Sequence, residues 1–138
     1  MMLELLQHKA SVKLPRRVRS ALKLIVYSPI DCANLLSGQS DELVPPLRLI
    51  GMRASEFKRV GDEFLQHFVN LGRLMPNERV LDVGCGFGRM AVPLTKYMNQ
   101  YGSYEGIDII KPPVDWCVKK ITARRPNFHF QLADVFNK

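Results

Sequence analysis

Arg79-Val80-Leu81-Asp82-Val83, running straight into Gly84-Cys85-Gly86-Phe87-Gly88, constrains the fold of this chain more than any other stretch. A short apolar run with Asn77 before it and glycines after it has the pattern of a buried central strand. Met90 to Tyr97 then reads as a helix, with Pro93 removing one amide inside it and bending it. Ser103 to Ile109 reads as a second strand, entered from Gly102. Pro112 and Pro113 open a further helix in which Val114, Cys117, Val118 and Ile121 recur at i, i+3, i+4 and i+7, and Pro126 closes it. Phe128, Phe130 and Leu132 alternate with His129, Gln131 and Ala133, which marks a third strand with one wetter face. Strand, helix, strand, helix, strand is the βαβαβ unit of a doubly wound α/β fold with a parallel sheet.

Upstream, Phe57, Val60, Phe64, Phe68 and Leu71 recur at helical spacing. They predict a helix over Glu56 to Leu74, capped by Ser55, ended by Gly72 and Pro76, and carrying an aromatic stripe that serves as core. Between Ser28 and Pro46 the turn formers Pro29, Gly38, Pro45 and Pro46 predict a loop or linker. The first 25 residues hold six cations (Lys9, Lys13, Arg16, Arg17, Arg19 and Lys23) against Glu4 alone, so most of the net charge of +7 sits there. Interleaved Leu3, Leu6, Val12, Leu14, Val18, Leu22 and Ile25 predict a basic amphipathic helix interrupted at Pro15. Such a helix either packs by one face or offers residues 9–23 to a membrane surface or nucleic acid.

A chain of 138 residues has room for one domain core. Cys32, Cys85 and Cys117 form an odd set without a CxxC pair, which argues against a disulfide framework and suits a reducing compartment, the cytoplasm. His8, His67 and His129 are too scattered to be expected as metal ligands.

In a doubly wound sheet, ligands gather beyond the carboxyl ends of the strands, and Asp82, Asp108 and Asp134 lie at or near those ends. A glycine-rich turn lets the backbone approach a ligand closely. A dinucleotide fingerprint G-x-G-x-x-G counted from Gly84 would need a small residue at position 89, where Arg89 stands, so pyrophosphate binding by a nicotinamide enzyme is disfavoured. The pattern present is G-x-G-x-G preceded by an acid. Cys85 within it has no base beside it in sequence and is not expected to act as a nucleophile.

Val80 to Gly88 resembles the signature of the class I S-adenosylmethionine-dependent methyltransferases, which have a Rossmann-like fold. The resemblance implies that Gly84, Gly86 and Gly88 curl around the methionyl part of S-adenosyl-L-methionine, with Asp82 orienting the loop and the ammonium side. It implies that Asp108, in Tyr104-Glu105-Gly106-Ile107-Asp108 and 20 residues after Gly88, binds both ribose hydroxyls. It also implies that Ile109 packs near the adenine ring and that Asp134, in Leu132-Ala133-Asp134-Val135, accepts from the adenine amino group. A ring of acids suits a cofactor that carries a sulfonium and an ammonium.

A complete fold of that family has seven strands in the order 3-2-1-4-5-7-6, of which this chain supplies 3, 2 and 1. The expectation is therefore a truncated, amino-terminal half, with residues 1–50 a basic helical and loop extension and 51–138 a partial cofactor-binding domain. Val80, Leu81 and Val83 would lie on an unpaired edge, to be covered by the missing strands, by the amino-terminal region or by a second copy. The methyl acceptor and any catalytic residue are not legible. The competing expectation is a non-catalytic module of the same fold that uses its basic arm on membrane lipid or RNA.

Overall fold

The computed structural model describes residues 15–36 and 41–133. Helix α1 (Arg16–Leu36) starts directly after Pro15 and is followed by a four-residue helix α2 (Leu47–Ile50) and by α3 (Ala54–Asn70). Strand β1 (Arg79–Val83), helix α4 (Ala91–Tyr97), strand β2 (Ser103–Asp108), helix α5 (Lys111–Cys117), a π-helical turn (Val118–Thr122) and strand β3 (Phe128–Leu132) complete the order. The first 14 residues, which carry Lys9 and Lys13 of the basic segment, lie outside the described residues.

β1 pairs in parallel with β2, Arg79 opposite Ser103, and β2 pairs in parallel with β3, Tyr104 opposite Phe128. The sheet order is β1-β2-β3, so the expectation of a parallel α/β sheet holds for the described strands, with the described helices on one face. Because side chains alternate across a strand, Val80 and Asp82, Tyr104, Gly106 and Asp108, and Phe128 and Phe130 share one face. Leu94 of α4, Val114 and Cys117 of α5 and Ile121 close over that face, and with Tyr104, Phe128 and Phe130 they form the core. Val44, ahead of α2, belongs to the same core, with Leu43 and Ile50 packed beside it.

The opposite face is bare among the described residues. Leu81 is 66% and Val83 73% exposed, and beside them Glu105 and His129 make a surface pair at 2.8 Å. Val80 points to the covered face and is half-buried.

Several local expectations are corrected. Residues 28–36, expected as loop, are helical: α1 runs through Ser28 and Pro29 to Leu36. Pro29 costs that helix only the bond to the Ile25 carbonyl, on a turn where Ile25 and Pro29 are both exposed. The far end of α1 is held by Asp31, whose buried carboxylate accepts the amides of Leu47 at 2.7 Å and Arg48 at 3.2 Å and the Arg48 guanidinium at 3.1 Å. Asp31 thereby satisfies two of the free amides that open α2.

Ser55 lies inside α3 rather than capping it; the N-cap is Arg53, without a side-chain bond. The helix ends at Asn70, with the left-handed residue that follows being Arg73 (φ 54). Of the aromatic stripe Phe57 is buried and Phe68 half-buried, whereas Phe64 and Leu71 are exposed, Leu71 by 79%. Helical spacing places these residues on one side but does not supply enough neighbouring surface to cover them all.

Pro93 is the third residue of α4. Amides in a first turn have no partner within the helix, so the proline removes no bond there. Val118, expected on the buried stripe of the helix opened by Pro112 and Pro113, is 44% exposed. The chain widens to a π turn from that residue, which keeps Ile121 fully buried while Val118 leaves the stripe.

Candidate functional site

The turn leaving β1 is tied to the end of β2 by its own backbone. Gly84 and Cys85 both donate to the Ile107 carbonyl, at 2.7 and 3.1 Å. The next amide, of Gly86, donates to Oδ2 of Asp108 at 2.8 Å, and Oδ1 of the same carboxylate accepts the Ile110 amide at 2.8 Å. Asp108 therefore clips the glycine turn to the segment that follows β2. Gly88 donates to the Cys85 carbonyl and accepts from Val92, which feeds the turn into α4.

Gly84, Gly86 and Gly88 have φ of 86, 51 and 75°. At Gly86 this left-handed conformation disfavours any side chain with a Cβ. A Cβ on Gly84 or Gly86 would meet nothing within 4 Å, so the backbone there borders open space. Gly88 is different: a Cβ would come within 2.7 Å of Ile121 Cδ1 and 3.1 Å of Cys117 Sγ, so its role is close packing of the turn on the helical layer.

Asp82 and Asp108 stand on the same face of the sheet, on adjacent strands. The Tyr104 hydroxyl donates to Asp82 Oδ2 at 2.5 Å. Burial, then the neighbouring Asp82 carboxylate, pushes the Tyr104 phenol well above its usual range, so it stays a donor. Cys85 is pushed up to about 12 by burial, with Asp82 and Asp108 adding to the effect. Burial, then Cys85, likewise raises Cys117. A thiol that keeps its proton is a poor nucleophile, in keeping with the absence of a base beside Cys85.

The structure thus brings Asp82, Gly84, Gly86, Gly88 and Asp108 together at the carboxyl end of the sheet. Ile109 follows at the same end and is 71% exposed. Asp134 lies outside the described residues. Sequence reasoning missed Tyr104, although its position two and four residues before Gly106 and Asp108 already put it on their face of the strand. It also missed the edge-on contact between Phe87 of the turn and Trp116 of α5, with ring centroids 6.2 Å apart, which braces the loop from the helix side. Among the described residues no group of three or more His, Cys, Asp or Glu side chains could hold a metal ion. No helix among them is long and apolar enough to cross a membrane.

Residues 80–137 match a family model described as a methyltransferase domain. That segment of the chain is thus similar to a methyltransferase domain. The matched segment begins in β1 and takes in the glycine turn, Asp82 and Asp108. Among curated proteins the chain is similar to a probable cobalt-precorrin-6B C(15)-methyltransferase (decarboxylating) of Thermoplasma acidophilum, 30% identical over 66 residues, which cover 46% of this chain and 33% of that protein. It is also similar to an aklanonic acid methyltransferase of Streptomyces sp. (strain C5), 32% identical over 75 residues, covering 51% of this chain and 34% of that protein. The alignments thus span about a third of the length of the curated relatives. Among solved structures it resembles coclaurine N-methyltransferase bound to N-methylheliamine and SAH, with a TM-score of 0.45 and 21% identity over 54% of this chain and 22% of that one. A protein-L-isoaspartate O-methyltransferase gives a TM-score of 0.46 and 19% identity over 53% of this chain and 23% of that one.

Proposed function

We propose that this chain supplies the S-adenosyl-L-methionine-binding part of a methyltransferase. The observation that carries the reading is the Asp108 carboxylate, which receives the Gly86 amide on one oxygen and the Ile110 amide on the other. Each carboxylate oxygen has two acceptor sites, so after those two bonds the group still accepts two hydroxyls. A pair of adjacent hydroxyls, as on a ribose, suits that capacity. The open space over Gly84 and Gly86 receives the methionyl part, with backbone in close approach, and the acid at Asp82 favours the cationic side of the ligand. Ile109 offers exposed apolar surface for the adenine ring, and Asp134 is proposed as acceptor for its amino group.

When bound, the cofactor supplies a methyl group on a sulfonium, open to direct displacement by a nucleophile. The part played by this chain is to bind and orient. Asp108 holds loop and ligand in register, Gly84 and Gly86 leave room, and Asp82 contributes charge. The acceptor is an unspecified nucleophile-bearing molecule. A reducing compartment such as the cytoplasm suits the three free thiols Cys32, Cys85 and Cys117.

Calorimetric titration of the chain with S-adenosylmethionine, S-adenosylhomocysteine and a nicotinamide dinucleotide tests the reading. Saturable binding of the first two and none of the third is the expected result. Binding of the dinucleotide alone, or of none of the three at millimolar ligand, overturns it.

A further inference from the structure

We infer that Tyr104 is a positioning residue for Asp82: its hydroxyl occupies one carboxylate oxygen and turns the other toward the ammonium of the bound amino-acid moiety. This rests on the cofactor reading above and names the group that sets the polarity of its methionyl end.

Tyr104 is fully buried, and its ring is stacked on Phe128 with centroids 5.2 Å apart and planes at 16°, with Phe130 tilted against it at 5.5 Å. The phenol therefore cannot swing away, and its oxygen meets Asp82 Oδ2 at 2.5 Å. A rigid ring that places one donor is a suitable clamp, since little side-chain freedom is lost in making the bond. The cross-strand register helps: Tyr104 faces Val80, and Gly106 faces Asp82. A Cβ on Gly106 would come within 2.7 Å of Phe130 Cδ1 and 3.0 Å of Cys85 Sγ, so the glycine lets those two groups close in beside the carboxylate.

Asp82 Oδ1 receives no donor among the described residues, and it is not buried. A carboxylate with one oxygen saturated from inside the core and the other left free has a defined direction. Without the phenol, the same carboxylate rotates or draws in water, and its charge no longer has a fixed place. The other charged and titratable groups acting on this region are Asp108 and the two protonated thiols Cys85 and Cys117, none of which donates to Asp82.

The test separates a positioning role from a structural one by ligand choice. S-adenosylmethionine carries the amino-acid moiety; 5′-methylthioadenosine has the adenosine and sulfur but lacks it. Binding of both is measured by calorimetry to the wild-type chain, Tyr104→Phe, Asp82→Asn and the double variant, with circular dichroism melts run alongside. Tyr104→Phe keeps the stacked ring and is expected to weaken S-adenosylmethionine about tenfold while leaving methylthioadenosine within about twofold. Asp82→Asn is expected to show the same selectivity, and adding Tyr104→Phe to it to change little, because the hydroxyl acts through that carboxylate. Equal loss for both ligands, unchanged affinity for both, or additive losses in the double variant overturns the assignment. Should Tyr104→Phe melt before it can be titrated, the selectivity of Asp82→Asn decides: equal loss of both ligands overturns it as well. A wild-type chain that binds neither ligand overturns the cofactor reading and this assignment with it.

Discussion

Asp108 accepts the amide of Gly86 at 2.8 Å across 22 positions of sequence, and through that one bond the end of β2 sets the shape of the turn that leaves β1. Since the same carboxylate takes the Ile110 amide, a single side chain organises both walls of the proposed cleft.

Asp108→Ala removes both bonds. The expected outcome is a loss of S-adenosylmethionine affinity of about tenfold or more, as for charge-assisted hydrogen bonds worth about 1.5 to 3 kcal/mol. Faster hydrogen exchange at the Gly86 amide, read by NMR, should accompany it; unchanged exchange would mean that the clip does not shape the loop in solution.

Glycines of the turn should separate into two kinds. Gly88→Ala drives a methyl group into Ile121 and Cys117 at a left-handed φ, and should cost about 1 to 3 kcal/mol in denaturant unfolding. Gly86→Ala meets no neighbour, so its cost is the conformational strain of about 1 to 2 kcal/mol, and its larger effect should be on ligand affinity. Similar profiles for the two variants would contradict this division.

Alkaline pH should weaken the fold. An unfolded thiol ionises near 9.0, whereas Cys85 in the folded chain holds its proton up to about 12. A pKa raised by folding contributes stability that is complete below the unfolded value and is lost as pH rises through this window. The urea midpoint is therefore expected to fall from pH 9 upward, and Cys85→Ala to flatten that decline. At pH 7.5, by the same burial, iodoacetamide should label exposed Cys32 first, with Cys85 and Cys117 protected until denaturant is added.

Asp31→Ala strips the partner from the Leu47 and Arg48 amides and from the Arg48 guanidinium, and is expected to cost about 1 to 3 kcal/mol. Asp31→Asn should recover part of the loss, because its amide oxygen still accepts. A neutral Asp31→Ala would show that α1 is not anchored to α2 through this group.

The strands were legible because their patterns are local: β1 is framed by Asn77 and glycines, and β3 alternates Phe128, His129, Phe130 and Gln131. The spacing of Asp82, the glycines and Asp108 was equally readable, since a strand followed by a tight turn leaves few arrangements for them. Helix ends were not. Whether Pro29 breaks a helix depends on whether the freed Ile25 carbonyl finds water and on what holds the helix beyond it. Pro93 reads as a bend from the sequence, although a helix beginning near Met90 already leaves its missing amide in the first turn.

The sequence by itself determined the alternation of strands and helices and the acid-glycine pattern between them, because periodicity and glycine chemistry act over a few residues. Only the tertiary structure decided that Tyr104 meets Asp82, that Asp108 clips Gly86, and that Leu81 and Val83 face outward while Val80 faces the core. Those relationships depend on the register between strands and on which face the helices cover, and both are set by packing between segments distant in the chain.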